Sequence, residues 1–160
     1  MKKIVLVTGG SRGIGAAAAK LLATQGYSVC INFIKSKIEA NQVVAEIERN
    51  GGTAIAVQAD VSNEDEVISL FKVIDESLGK ITHLVNNAGI LLPQMRISEM
   101  TAARINKVLI TNVTSCFLCC REASKRMQNG GSIVNISSAA ARLGSPAEYV
   151  DYAASKGAID

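Results

Sequence analysis

The sequence predicts an α/β fold, a doubly wound parallel sheet with helices on both faces. Three observations carry it. Short apolar, β-branched runs alternate with stretches of helical periodicity along the whole chain. Glycines stop several of the helical stretches. The first apolar run leads into a glycine-rich turn that opens directly into a helix.

The elements follow in order. Ile4–Val7 is a short apolar run ending in Thr8-Gly9-Gly10 and reads as a buried parallel strand. From Gly13, residues Ile14, Ala17, Ala18, Leu21 and Leu22 recur at helical spacing until Gly26 stops them. Residues 29–33 form a second strand. Ile38, Val43, Val44 and Ile47 mark a second helix, ended by Gly51-Gly52, and residues 54–57 a third strand. Ser62 or Asn63 caps the next helix, and Glu64, Asp65 and Glu66 suit the positive end of its dipole. Its apolar face is Val67, Leu70, Phe71 and Ile74, and Gly79 ends it. Leu84-Val85 carries a fourth strand into Asn86-Asn87-Ala88-Gly89. One long helix is expected over residues 101–128, broken by Gly130-Gly131, then a fifth strand at 132–136. A loop with Gly144 and Pro146 leads to a last helix starting near Tyr152.

Composition bounds the function. The 160 residues are 48% hydrophobic and 19% charged, a globular balance. The net charge of +3 is spread along the chain with no basic block, which argues against a nucleic-acid partner. No apolar run approaches the ~18 residues that a membrane span needs. The N-terminus superficially resembles a signal peptide, but its apolar stretch is short, and Gly9-Gly10 and Arg12 interrupt it. A cytoplasmic location is expected. Cys30, Cys116, Cys119 and Cys120 read as reduced core thiols. A Cys116–Cys119 redox pair would sit inside a helix rather than at its N-terminus. His83, the single histidine, reads as a polar strand-edge residue. There is no nucleophile elbow for it to serve and no cluster with metal-ligand spacing, so no metal is expected.

The turn at residues 8–15 has the spacing Gly9-x3-Gly13-x-Gly15. Its glycines let backbone N–H groups approach a pyrophosphate, and the helix N-terminus adds its dipole. The spacing differs from G-x-G-x-x-G, and no Gly-Lys-Ser/Thr follows as in a P-loop. A tight turn without ligand is the alternative. The second strand ends at Asn32-Phe33 with no acid to accept from a ribose 2′-OH. Arg12, Lys35 and Lys37 supply positive charge instead, which favours NADP(H) over NAD(H). The bland reading is that Lys35 and Lys37 solvate a helix start.

Tyr152 and Lys156 lie four apart at a helix start, so they share a face with Cβ atoms ~6 Å apart. A neighbouring ammonium stabilises a phenolate and makes tyrosine a plausible general acid/base. Alone, Tyr-x-x-x-Lys is more often a solvated helix face. The ordered set is far more specific: Thr8-Gly9-Gly10-Ser11-Arg12-Gly13-Ile14-Gly15, Asp60-Val61, Asn86-Asn87-Ala88-Gly89, Asn112, Ser137-Ser138 and Tyr152-Ala153-Ala154-Ser155-Lys156. This set resembles the classical short-chain dehydrogenase/reductase family over the whole chain. It is especially similar to 3-oxoacyl-carrier-protein reductases and sugar or polyol dehydrogenases.

The resemblance implies a Rossmann-like domain and a set of roles. Tyr152 donates a proton to a carbonyl oxygen as hydride arrives from the nicotinamide. Lys156 binds the nicotinamide ribose and tunes Tyr152. Ser138 polarises the substrate oxygen. Asn112 holds a water in the proton relay. Asp60, with Val61, meets the adenine, and Asn87, Ala88 and Gly89 line the adenosine side of the cleft. Ser137 and Ser138 point to opposite faces of the strand, and Ser138 is the choice. It precedes Tyr152 by fourteen residues, one more than in many relatives, so an extra loop residue is expected between 139 and 151. Tyr149 lacks a lysine four residues on and reads as a cleft lip or a packed loop residue. The substrate class implied is a small carbonyl or alcohol, and the assembly a homodimer or homotetramer. Val108, Val113, Cys116, Phe117 and Cys120 are compatible with that interface, and equally with the domain's own core.

Family members normally continue past Asp160, with further strands and helices that are missing here. The expectation is one nucleotide-binding domain over residues 1–160, incomplete at its C-terminus, with 132–136 left as an unprotected edge. Such a chain is expected to be poorly active alone. A truncated nucleotide-binding module and an inactive fragment are the alternatives.

Overall fold

A five-stranded parallel sheet organises the chain, in the order β3-β2-β1-β4-β5. The computed structural model describes residues 2–127 and 130–160. The strands are β1 Ile4–Val7, β2 Ser28–Phe33, β3 Thr53–Gln58, β4 His83–Asn86 and β5 Ser132–Asn135. The helices are α1 Gly13–Thr24, α2 Lys37–Arg49, α3 Glu64–Ser77, α4 Ala102–Leu109, α5 Ser115–Ser124, α6 Ala140–Leu143 and α7 Val150–Gly157. None of the helices described is long and apolar enough to cross a membrane.

Alternation along the strands builds two cores. Ile4, Leu6 and Cys30 point to one face, where Val67, Leu70, Phe71 and Ile74 of α3 meet Cys119 and Ala123 of α5. Val5, Val7, Val29 and Ile31 point to the other, against Ala16 and Ala19 of α1 and Ala40, Val43 and Ile47 of α2. Each fully buried Leu, Ile or Phe contributes about 1.5–3 kcal/mol. The apolar face expected for α3 is the face buried, and Asn63 is its cap, accepting from the N–H groups of Asp65 and Glu66.

The region expected as one helix over 101–128 is built differently. A π-helical turn at Ile110–Thr114 separates α4 from α5, and α5 ends at Ser124. The expected end at Gln128 lies outside the described residues. The cause is visible at the wide turn. Asn112 is pulled inward to bond the Ile90 backbone, and the Ser115 hydroxyl donates back to the Thr111 carbonyl at 2.5 Å. Two short elements were not expected, α6 and a 3₁₀ turn at Ile97–Glu99.

β5 is an edge strand as expected, paired among the described residues only with β4. It is one residue shorter than expected, although the Ile136 N–H still donates to the Asn86 carbonyl at 2.9 Å. Ile133 and Val134 are 40% and 50% exposed.

Candidate active site

The site begins where β1 turns into α1. Gly13 has φ +56°, a left-handed conformation that glycine adopts without strain. A Cβ on Gly15 would lie 2.5 Å from Asn87 Nδ2 and 2.6 Å from the Gly9 carbonyl, so only glycine lets α1 approach this closely. These two glycines shape the turn. Arg12 precedes the helix with no side-chain cap, and α1 has no acid in its first turn. The positive end of the helix is therefore free to meet an anion.

Three side chains brace the turn: Thr8, Asn87 and Asn32. The Thr8 hydroxyl accepts from the N–H groups of Asn87 and Ala88, both at 3.0 Å. Asn87 Nδ2 returns two bonds, to the carbonyls of Thr8 at 2.9 Å and Gly9 at 3.1 Å. Asn32, buried at the end of β2, accepts from the Gly9 N–H at 3.3 Å and donates to the Ala59 carbonyl at 2.9 Å. It ties β1, β2 and the end of β3 together. In the sequence Asn32 stands only as the absence of an acid. Its signal was an amide where a buried strand meets a glycine turn.

A cleft of about 620 Å³ opens above the turn. Gly9, Ser11, Arg12, Ile14, Asp60, Val61, Asn87, Ala88 and Gly89 all line it, so most of the expected binding residues converge. Lys35 and Ser36 also line it, whereas Lys37 opens α2 outside it. Lys107 and Thr111, which sequence reasoning missed, complete the far wall. The Asp60 carboxylate accepts from the Ser62 N–H at 2.9 Å and hydroxyl at 2.6 Å, which fixes its position on the rim. The volume, the bare helix end and the glycine contacts fit a dinucleotide.

The second cluster lies behind Gly89. A Cβ on Gly89 would be 3.2 Å from Asn112 Oδ1 and 3.8 Å from Lys156 Nζ. Asn112 accepts from the Ile90 N–H at 2.8 Å and donates to the Ile90 carbonyl and the Ser155 hydroxyl, each at 3.0 Å. Both amide donors and one acceptor position are thus engaged by the protein, which makes Asn112 a clamp between the loop after β4, the π turn and α7. Lys156 Nζ lies 5.7 Å from the centre of the Tyr152 ring and donates to the Ile136 carbonyl at 2.6 Å. Burial lowers its pKa, opposed by nearby Cys116. The Ser138 hydroxyl accepts from the Ala140 N–H at 3.2 Å at the start of α6. No bond joins Ser138 to Tyr152 or Lys156 among the described residues.

Cys30, Cys116 and Cys119 are buried and Cys120 is half-buried. Burial pushes the Cys119 thiol up to about 12, while the hydrogen bond from Cys116 draws Cys120 down to about 7. His83 stands in β4, edge-on to Tyr27, and meets Thr82 Oγ1 at 2.8 Å. Val108 and Cys116 belong to the interior, whereas Phe117 is exposed.

A sequence profile of the family described as short chain dehydrogenase matches residues 3–160. The chain belongs to this family. The chain is 56% identical to the uncharacterized oxidoreductase YgfF of Escherichia coli, over 98% of its own length and 66% of that protein. It is 44% identical to a 3-oxoacyl-[acyl-carrier-protein] reductase of Synechocystis, over 98% of the chain and 64% of the relative. Its fold superposes with a TM-score of 0.92 on a short chain dehydrogenase from Burkholderia cenocepacia in complex with NADP, at 41% identity, covering 98% of this chain and 63% of that one. The chain thus spans slightly less than two thirds of the length of these relatives.

Proposed function

We propose that this chain carries the site of an NADP(H)-dependent oxidoreductase that interconverts a ketone and a secondary alcohol. The observation that carries the reading is the position of Gly89. It lines the cleft on one side and abuts Asn112 and Lys156 on the other. A nucleotide held by the turn therefore ends beside the Tyr152–Lys156 pair.

Gly9, Ser11, Ile14 and the free N–H groups of α1 would hold the pyrophosphate. Arg12 and Lys35 would take the 2′-phosphate, with Asp60 and Val61 at the adenine. When bound, the nicotinamide supplies or accepts the hydride. In the reductive direction Tyr152 gives its phenolic proton to the carbonyl oxygen, and the Lys156 ammonium stabilises the phenolate left behind. An ammonium has three donors, so Lys156 keeps two for a ribose while one holds the Ile136 carbonyl. The Ser138 hydroxyl accepts from Ala140 and retains its own proton to donate to the substrate oxygen. Asn112 orders the relay by fixing the loop after β4 rather than by offering a free side chain. Exposed Phe117 and Ile110 support self-association of the active protein as a homodimer or homotetramer.

The test is NADPH titration by fluorescence, followed by turnover with a panel of ketones. Saturable binding with turnover that Tyr152→Phe abolishes is the expected result. Turnover unaffected by Tyr152→Phe would overturn the reading. Binding without turnover would favour a nucleotide-binding module.

A further inference from the structure

Arg104 on α4 and Asp151 on α7 form a buried ion pair outside the machinery described above. Arg104 Nε donates to Asp151 Oδ2 at 2.8 Å, and the two side chains are 10% and 2% exposed. The other carboxylate oxygen, Oδ1, accepts from the Tyr152 N–H at 2.9 Å. One carboxylate therefore joins α4 to the backbone of Tyr152.

The pair is poorly built for stability. Desolvating two charges offsets their attraction, and removing such pairs in favour of apolar groups is often neutral or stabilising. Arg104 Nη2 is also buried without a partner among the described residues, which adds an unmet donor. What the pair does fix is orientation. Backbone N–H groups in the first turn of a helix have no intrahelical acceptor. Asp151 supplies one for Tyr152, and Arg104 determines where that acceptor sits. The Tyr152 ring then lies 5.7 Å from Lys156 Nζ and edge-on to Tyr149 at 6.1 Å.

We propose that Arg104 is a positioning residue, which acts through Asp151 to hold the first turn of α7 and so the place of the Tyr152 ring. Its bearing on catalysis rests on the reading of Tyr152 as proton donor. The chain has three tyrosines, Tyr27, Tyr149 and Tyr152, so fluorotyrosine labelling gives three resolvable ¹⁹F signals. Tyr152→Phe assigns one of them, and Tyr27, against His83 on the far side of the sheet, reports folding.

In the double variant Arg104→Met/Asp151→Leu the thermal midpoint stays level or rises and the Tyr27 signal is unmoved. The Tyr152 signal shifts or broadens. Arg104→Lys, which can still reach the carboxylate, keeps the wild-type signal. A Tyr152 signal at its wild-type position in the folded double variant overturns the proposal. If the double variant loses the Tyr27 signal, Asp151→Asn decides: it keeps the acceptor for the Tyr152 N–H but loses the charge that holds Arg104. A displaced Tyr152 signal there supports the proposal and an unmoved one overturns it. Failure of the proton-donor reading is seen separately, as turnover that survives Tyr152→Phe while the signals still respond to Arg104.

Discussion

At the scale of single residues, the turn depends on atoms far apart in sequence. Thr8 Oγ1 serves two N–H groups about eighty residues away, so its hydroxyl matters more than its size. Thr8→Val keeps the shape and leaves both donors without an acceptor, which costs about 1–3 kcal/mol. Urea unfolding should show that loss, with Thr8→Ser close to wild type. Arg12 is the other residue to weigh, because the end of β2 offers no acid. A hydrogen bond to a charged group contributes about 1.5–3 kcal/mol. Arg12→Ser should therefore weaken NADPH binding about 10-fold or more and leave NADH binding nearly unchanged, read as the ratio of the two dissociation constants. Equal losses for both nucleotides would place Arg12 at the pyrophosphate instead. Arg12 was legible in the sequence because the motif puts it in the turn. Asn32 and Lys107 were not, because their contacts cross from other strands and helices.

At the scale of elements, strands and helices were legible wherever burial imposes a period. The two faces of β1 and the stripe of α3 are examples. The π turn was not legible, because one extra residue in a helix leaves its composition unchanged and only Ile90 shows why Asn112 turns inward. The loop before α7 is an intermediate case. The spacing of Ser138 and Tyr152 called for an extra residue between 139 and 151. The chain there is compacted by left-handed residues: Gly144 at φ +72°, Ser145 at +43° and Ala147 at +61°. A left-handed residue with a Cβ costs roughly 1–2 kcal/mol. Ala147→Gly should thus stabilise the fold by about 1 kcal/mol, after the entropy that glycine adds to the unfolded chain. A lower thermal midpoint for that variant would show that the loop is not strained at Ala147.

At the scale of the whole molecule, charge ties the helix layer together, and this tie has a pH dependence. Glu122 of α5 has a side chain only 4% exposed and meets Lys125 and Arg126, and Arg126 continues to Asp75 of α3. Burial alone would push the Glu122 carboxyl up, but the hydrogen bonds and charges of Lys125 and Arg126 outweigh it and hold it below its usual 4.5. The unfolded chain then takes up that proton first, so the stabilisation is present above about pH 4.5 and is lost as pH falls below it. His83 acts with the same sign at higher pH. Burial, then the charge of Lys3, lower its pKa from 6.5, so the unfolded chain binds that proton first too. Its share of stability is lost as pH falls from about 6.5. The expected profile of unfolding free energy therefore declines in two stages, one starting near pH 6.5 and one near pH 4.5. His83→Gln should flatten the first stage alone. Glu122→Gln should flatten the second and lower stability at pH 7, because it weakens the partner of half-buried Arg126. A profile with both stages intact in Glu122→Gln would mean that other carboxylates, not this network, govern acid unfolding.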